Sequence, residues 1–195
     1  MLFRSKEYHE KALIIYKKIF GEEHADVASS YNNLGNDYQQ LGQYNEAKQY
    51  HEKALIIYKK IFGEEHANVA PSYNNLGSDH QQLGQYNEAK EYHEKALIIF
   101  KKISGEEHAK VASCYRNLGS DYQQLGQYNE AKEYHKKLLI IFKKIFCEEH
   151  ANVASSYGNL GNDYQPLGLC NEAKEYDDHQ EKDFWRGKCQ CRIKL

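Results

Sequence analysis

A repeat of 42 residues constrains this chain more tightly than any other feature. Residues 25–66 (ADVASSYNNLGNDYQQLGQYNEAKQYHEKALIIYKKIFGEEH) recur at 67–108 with seven differences and again at 109–150, and a fourth copy opens at Ala151 and decays. Self-similarity at such a period marks an array of supersecondary units, each stable only when stacked on its neighbours. The chain therefore divides into a partial unit at 1–24, full units at 25–66, 67–108 and 109–150, a degenerate unit at 151–176, and a divergent tail at 177–195. Ser5 to His24 matches only the second half of a unit, so a truncated first copy is expected.

Within a unit the apolar spacing is helical. Val27, Tyr31, Leu34, Tyr38 and Leu41 follow at intervals of 4, 3, 4 and 3, and Ala47, Tyr50, Ala54, Tyr58 and Ile61 at 3, 4, 4 and 3; two amphipathic helices are predicted and no strand. Gly42 is placed to end the first helix in a left-handed conformation, with Asn45 and Glu46 as cap and first-turn acid of the second. The short turn makes the pair antiparallel. Lys59 and Lys60 in the last turn, Gly63 after it and Glu64 and Glu65 before the next helix suit the helix dipole. Gly35 and Ala47 recur in every full copy, and a larger side chain there would overpack the helix crossing. Stacked hairpins of this kind form an all-α, right-handed solenoid.

Composition narrows the function. The formal net charge is -2, so the basic footprint of a nucleic-acid binder or a polybasic membrane anchor is missing. Apolar runs stay as short as Ala12 to Tyr16, against the roughly 20 residues of a spanning helix, and no signal peptide is recognisable. The five cysteines (Cys114, Cys147, Cys170, Cys189, Cys191) show no disulfide framework, which suits a reducing, cytoplasmic setting.

Tyr31-x-x-Leu34-Gly35-x-x-Tyr38 followed by Ala47 and Ala54 resembles the tetratricopeptide signature. The 42-residue period, with its GEEHADVASSYNNLG junction, is similar to the longer variant of kinesin light chains and nephrocystin-type proteins. The resemblance covers Ser5 to Tyr176. It implies a concave groove lined by the first helix of each unit, and a protein-binding role. Mapped here, that groove takes Ser29, Asn32, Asn36, Gln39 and Gln40, then Pro71, Asn74, Ser78, Gln81 and Gln82, then Ser113, Arg116, Ser120, Gln123 and Gln124. In kinesin-light-chain-like arrays the asparagine matching Asn32 and Asn74 contacts peptide; the match ends at Arg116 and Gly158.

Asparagine and glutamine amides both donate and accept, so a ladder of them can read the main chain of an extended peptide. Differences between copies fall on this face, as in Asn32, Asn74, Arg116, Gly158 and in Asn36, Ser78, Ser120, Asn162, whereas Tyr58, Phe100 and Phe142 stay aromatic. Arg116 with Lys110 marks the third unit as a place for an acidic group. The same residue types also make the wet face of any amphipathic helix. The expected function is an adaptor binding an extended peptide segment; the alternative is a structural spacer or a module that self-associates end to end.

Catalysis finds no foothold. Of ten histidines, His9, His51, His93 and His135 fall on second helices and His24, His66, His108 and His150 at junctions, none with a partner at metal-ligand spacing. Equivalent helices stand about 10 Å or more apart, too far to share a zinc with bonds of about 2 Å. Phosphate loops and nucleophile elbows are missing, so no enzyme, metal or cofactor is expected. In the last unit Gly158 and Pro166 predict looser pairing, and Cys147, standing where Gly21, Gly63 and Gly105 stand, predicts a left-handed cap strained by about 1–2 kcal/mol. The basic, aromatic tail (Phe184, Trp185) is expected to be a frayed helix and disordered end.

Overall fold

The computed structural model describes residues 2–168, and its described residues form eight helices and no strand. The fourth unit beyond Gly168 and the tail at 177–195 lie outside the described residues. The chain divides into two compact units, residues 1–103 and 104–195. The first holds α1 (Leu2–Phe20), α2 (Ala25–Gln40), α3 (Tyr44–Phe62), α4 (Val69–Gln82) and α5 (Tyr86–Ser104); the second holds α6 (Ala109–Gln124), α7 (Tyr128–Ile145) and α8 (Ala151–Tyr164).

In the first unit α2 and α3 pair antiparallel, with Gly35 against His51 at mid-length and the Tyr50 ring stacked 5.1 Å from Tyr38 and tilted 6.0 Å from Tyr31. Val27, Ala28 and Leu34 are wholly buried, as are Ala47 and Ala54 opposite. The buried stripe of α3 is wider than the apolar spacing, since Leu55 and Ile57 also belong to it and Tyr50 is only half-buried. His51 belongs to it at 0% exposure, and Ile61 leaves it at 40% exposure. In antiparallel register Ile61 comes opposite the start of α2, where the covering helix runs out.

Helix ends follow the sequence signals with two corrections. Gly42 adopts φ +73°, the Gln43 N–H reaches the Tyr38 carbonyl and the Gly42 N–H reaches that of Gln39, which is the paired bonding of a glycine-terminated helix. That compact turn feeds straight into α3 at Tyr44, so Gln43, with no side-chain cap, holds the position expected for Asn45, and Asn45 lies inside the first turn. The second correction concerns Cys147. No non-glycine residue among those described has positive φ; α7 instead stops one residue early, at Ile145, with Phe146 extended at φ -117°. Shortening the helix by one residue removes the strain that a left-handed cysteine would carry.

The junction charges act as pairs as well as dipole partners. Lys17–Glu22 (2.9 Å), Lys59–Glu64 and Lys143–Glu148 (2.5 Å) close α1, α3 and α7 onto their own exits, while Lys60–Glu23 and Lys102–Glu65 reach back to the preceding junction. All involve exposed carboxylates, so each is worth at most about 1 kcal/mol. In the second unit α8 accommodates Gly158 and still buries Val153, Tyr157 and Leu160; it ends at Tyr164, with Pro166 outside it, where a missing N–H costs no helical bond.

Candidate peptide-binding face

The polar side of the first helices is built from half-exposed amides, and in the first unit those of α2 and α4 reach one another. Asn32 Nδ2 donates to Ser72 Oγ at 3.2 Å, and the Ser72 hydroxyl lies 3.4 Å from Asn32 Oδ1. Asn32 and Ser29 also hydrogen-bond the Tyr58 phenol, whose pKa burial raises while those two bonds lower it. Asn75 Nδ2 donates to Asn36 Oδ1 at 3.4 Å. Gln39 Nε2 donates to Asp79 Oδ1 at 2.7 Å. Asn74, Ser78 and Gln81 on α4 are half-buried, with the Ser78 hydroxyl donating to the Asn74 carbonyl at 3.1 Å. Thus Asn32, Asn36 and Gln39 share one face with Ser72, Asn75 and Asp79, and Gln39 spends its donor inward.

Beneath this face lies a device that spacing along a single helix does not reveal. His51, wholly buried on α3, places Nδ1 2.6 Å from Asp79 Oδ2 on α4, with Asp79 also at 0% exposure. Its Nε2 faces Asn36 Oδ1 at 3.3 Å and Asn75 Nδ2 at 3.4 Å. Nearer the start of the chain His9 meets Asp37 at 2.6 Å, with Ser5 donating to the other carboxylate oxygen. The second unit repeats it: His135 lies 2.6 Å from Asp163, and Gln123 Nε2 donates to Asp163 Oδ1 at 2.6 Å. Gly35, Gly77 and Gly119 make room for the imidazoles, since a Cβ on Gly35 would stand 2.3 Å from His51 Nε2. The second-helix histidines, expected to have no partner at metal-ligand spacing, pair instead with aspartates 28 residues away on the next first helix. Their signal in the sequence was that His9, His51 and His135 and Asp37, Asp79 and Asp163 keep that offset at every copy.

The junction histidines also have a role: His24, His108 and His150 are the N-caps of α2, α6 and α8, while His66 makes the same bond one turn ahead of α4, whose N-cap position is Asn68. The Nδ1 atoms of His24, His66, His108 and His150 accept the backbone N–H two residues on, at 3.3, 3.2, 3.1 and 3.1 Å. Phe20, Phe62 and Phe146 stack on three of them, at 4.3, 4.4 and 4.0 Å; Ser104 takes that place before His108.

In the second unit Arg116 is exposed, its guanidinium 5.6 Å from the centroid of the Phe142 ring, an arrangement that keeps the charge available while its stem is supported. Ser120 is half-buried and Lys110 exposed. Cys114 is buried, and burial pushes its thiol up to about 12, so it is an inert core group. Among the described residues no cluster of three His, Cys, Asp or Glu is placed to hold a metal ion, and no helix is long and apolar enough to cross a membrane.

Antiparallel helix pairs repeated at a fixed period, with a polar first-helix face and no strand among the described residues, define an all-α helical repeat protein. The tetratricopeptide repeat family matches at residues 2–60, 26–97, 68–144 and 116–179, and the chain belongs to that family. Among solved structures it is similar to BtubC (BKLC) from P. vanneervenii, at 25% identity and TM-score 0.87 over 96% of this chain and 76% of that one. It is also similar to the kinesin-light-chain-like, nearly identical TPR-like repeats of Podosopora anserina, at 28% identity and TM-score 0.83 over 96% and 89%. A comparison with curated proteins gives no match. The fold is thus the tetratricopeptide solenoid, a scaffold whose common use is protein interaction.

Proposed function

We propose that this chain is an adaptor whose first-helix face binds an extended segment of a partner protein. The observation that carries this is the amide face itself: Asn36, Asn74, Asn75 and Ser78 are all half-exposed on neighbouring first helices and supply both donors and acceptors, the pairing that an extended main chain requires. Arg116, exposed above Phe142, adds one cation for an acidic group of the ligand in the second unit. No catalytic role is assigned to any residue, and no nucleic acid or membrane partner. A cytoplasmic location agrees with five cysteines that lack a disulfide framework.

A specific observation favours the second reading, a structural spacer or end-to-end self-associating module. Gln39 and Gln123 turn their donors onto buried aspartates and Asn32 is tied to Ser72, so part of the ladder serves packing. Peptide-display selection on the intact chain separates the two, compared with an Asn32→Ala, Asn74→Ala, Arg116→Ala variant of unchanged helicity. Peptides lost by the variant establish the face as the site. A selection that enriches nothing, together with mass that rises with concentration, establishes the spacer.

A further inference from the structure

Each second helix of the first unit turns one isoleucine to solvent. Ile14, Ile56 and Ile98 are 66%, 66% and 64% exposed, whereas the residues beside the last two, Leu55, Ile57, Leu97 and Ile99, are at most 9% exposed. A solvated helix face is ordinarily polar, and a β-branched residue there adds nothing to helix propensity. Successive second helices lie side by side with their ends in line, since Lys60 of α3 reaches Glu23 beyond α1 and Lys102 of α5 reaches Glu65 beyond α3. The three isoleucines thus stand in one row across α1, α3 and α5. Charges frame that row in a fixed order. Four residues before each isoleucine stands a glutamate (Glu10, Glu52, Glu94) and four after it a lysine (Lys18, Lys60, Lys102), all on the same helix face. The glutamates are half-buried and the lysines exposed. Neighbouring cations are drawn aside: Lys53 and Lys95 lean over tyrosine rings, and Lys17 and Lys59 pair with Glu22 and Glu64. Glutamate, isoleucine, lysine at this spacing is its own complement when reversed, because an antiparallel copy sets lysine against glutamate at both ends and isoleucine against isoleucine between them.

We propose that this second-helix face is an interface between two copies of the chain, related by a two-fold axis that runs along the row of isoleucines. Each second helix then lies antiparallel on its own counterpart. Ile14, Ile56 and Ile98 each meet themselves, and Glu10, Glu52 and Glu94 meet Lys18, Lys60 and Lys102 of the second copy. Such an isologous contact closes at two, whereas end-to-end stacking continues without limit. In α7 the same positions read Lys136, Ile140 and Lys144. Two copies of α7 would set lysine against lysine, so the interface belongs to the first unit. Three isoleucines with a charged rim make a small contact, of the size that gives weak dimers of about micromolar affinity. Because it uses second helices alone, the contact leaves the first-helix amides of both copies open, and the dimer offers a partner two such faces. It depends on neither reading of that amide face.

Sedimentation equilibrium on the full chain tests the interface. The wild type is expected to rise from monomer to dimer mass between about 1 and 100 µM and to stop there. Ile56→Asp, at a position too exposed to hold up the fold, is expected to stay monomeric over that range with helicity unchanged. Glu52→Lys sets lysine against lysine across α3 and is expected to weaken the dimer about tenfold or more. The double variant Glu52→Lys, Lys60→Glu reverses the order of charges but keeps the pattern self-complementary, so it is expected to restore the wild-type dissociation constant to within about threefold. A wild type that remains monomeric throughout overturns the proposal, as does a mass that climbs past the dimer. A dimer untouched by Ile56→Asp, or a double variant as weak as Glu52→Lys alone, overturns it equally.

Discussion

Gly35 shows how one absent methyl group organises several polar side chains. Its missing Cβ is the space that His51 fills, and His51 in turn holds Asp79, Asn36 and Asn75. Gly35→Ala is therefore expected to destabilise the chain by about 1–3 kcal/mol, read as a lower urea midpoint; a change within a few tenths would mean that the ring moves aside freely. Cys114 gives a pH signature. Its folded pKa, about 12, lies above that of an exposed thiol, so the folded form keeps a proton that the unfolded form releases. Its contribution is intact below the unfolded pKa and is lost as pH rises toward 12. Urea midpoints are expected to fall between pH 8.5 and 11 by a larger margin in the wild type than in Cys114→Ser, the residue found at Ser30, Ser72 and Ser156. That Gly35 must be small was legible in the sequence. Its occupant was not, because the ring comes from the facing helix and its charge partner from the next pair.

Helices were the most legible level, since apolar spacing reports which face is buried irrespective of partner. Their ends were less so. Asn45 carries the side chain of a good cap, but the glycine-terminated turn at Gly42 starts α3 before it. Cys147 is a poor left-handed residue, and α7 answers by stopping at Ile145. Cys147→Gly is consequently expected to relieve no strain and to leave stability within about 0.5 kcal/mol of the wild type; a gain of 1 kcal/mol or more by chemical denaturation would show that the strain exists. The junction histidines make a graded series. Losing an N-cap costs about 1 kcal/mol, and a ring stack adds roughly 0.5–1.5 kcal/mol. Among cap deletions measured by the same denaturation, His150→Ala, which loses both the cap and the Phe146 stack, should exceed His108→Ala, which has Ser104 beside it.

At the scale of the molecule, stability is a sum over helix pairs and the contacts that join successive pairs. His51–Asp79 joins two pairs within the first unit, and both groups are at 0% exposure. Removing one member leaves the other buried without its partner, so Asp79→Ala is expected to cost about 3–5 kcal/mol and to broaden thermal unfolding by calorimetry as α1–α3 part company with α4–α5. A sharp, unshifted transition would deny the join its role. Family and architecture were legible at this scale because the period is long and repeated in register; ligand identity was not, because an amide face specifies main-chain contact before any side chain. The 28-residue offset between each buried histidine and its aspartate has a genetic consequence. Every copy brings one half of two successive pairs, so excising residues 67–108 sets His51 at the same offset before Asp121. Recombination between copies can lengthen or shorten the gene by whole periods without leaving a buried charge stranded, and array length becomes something inheritance can vary freely.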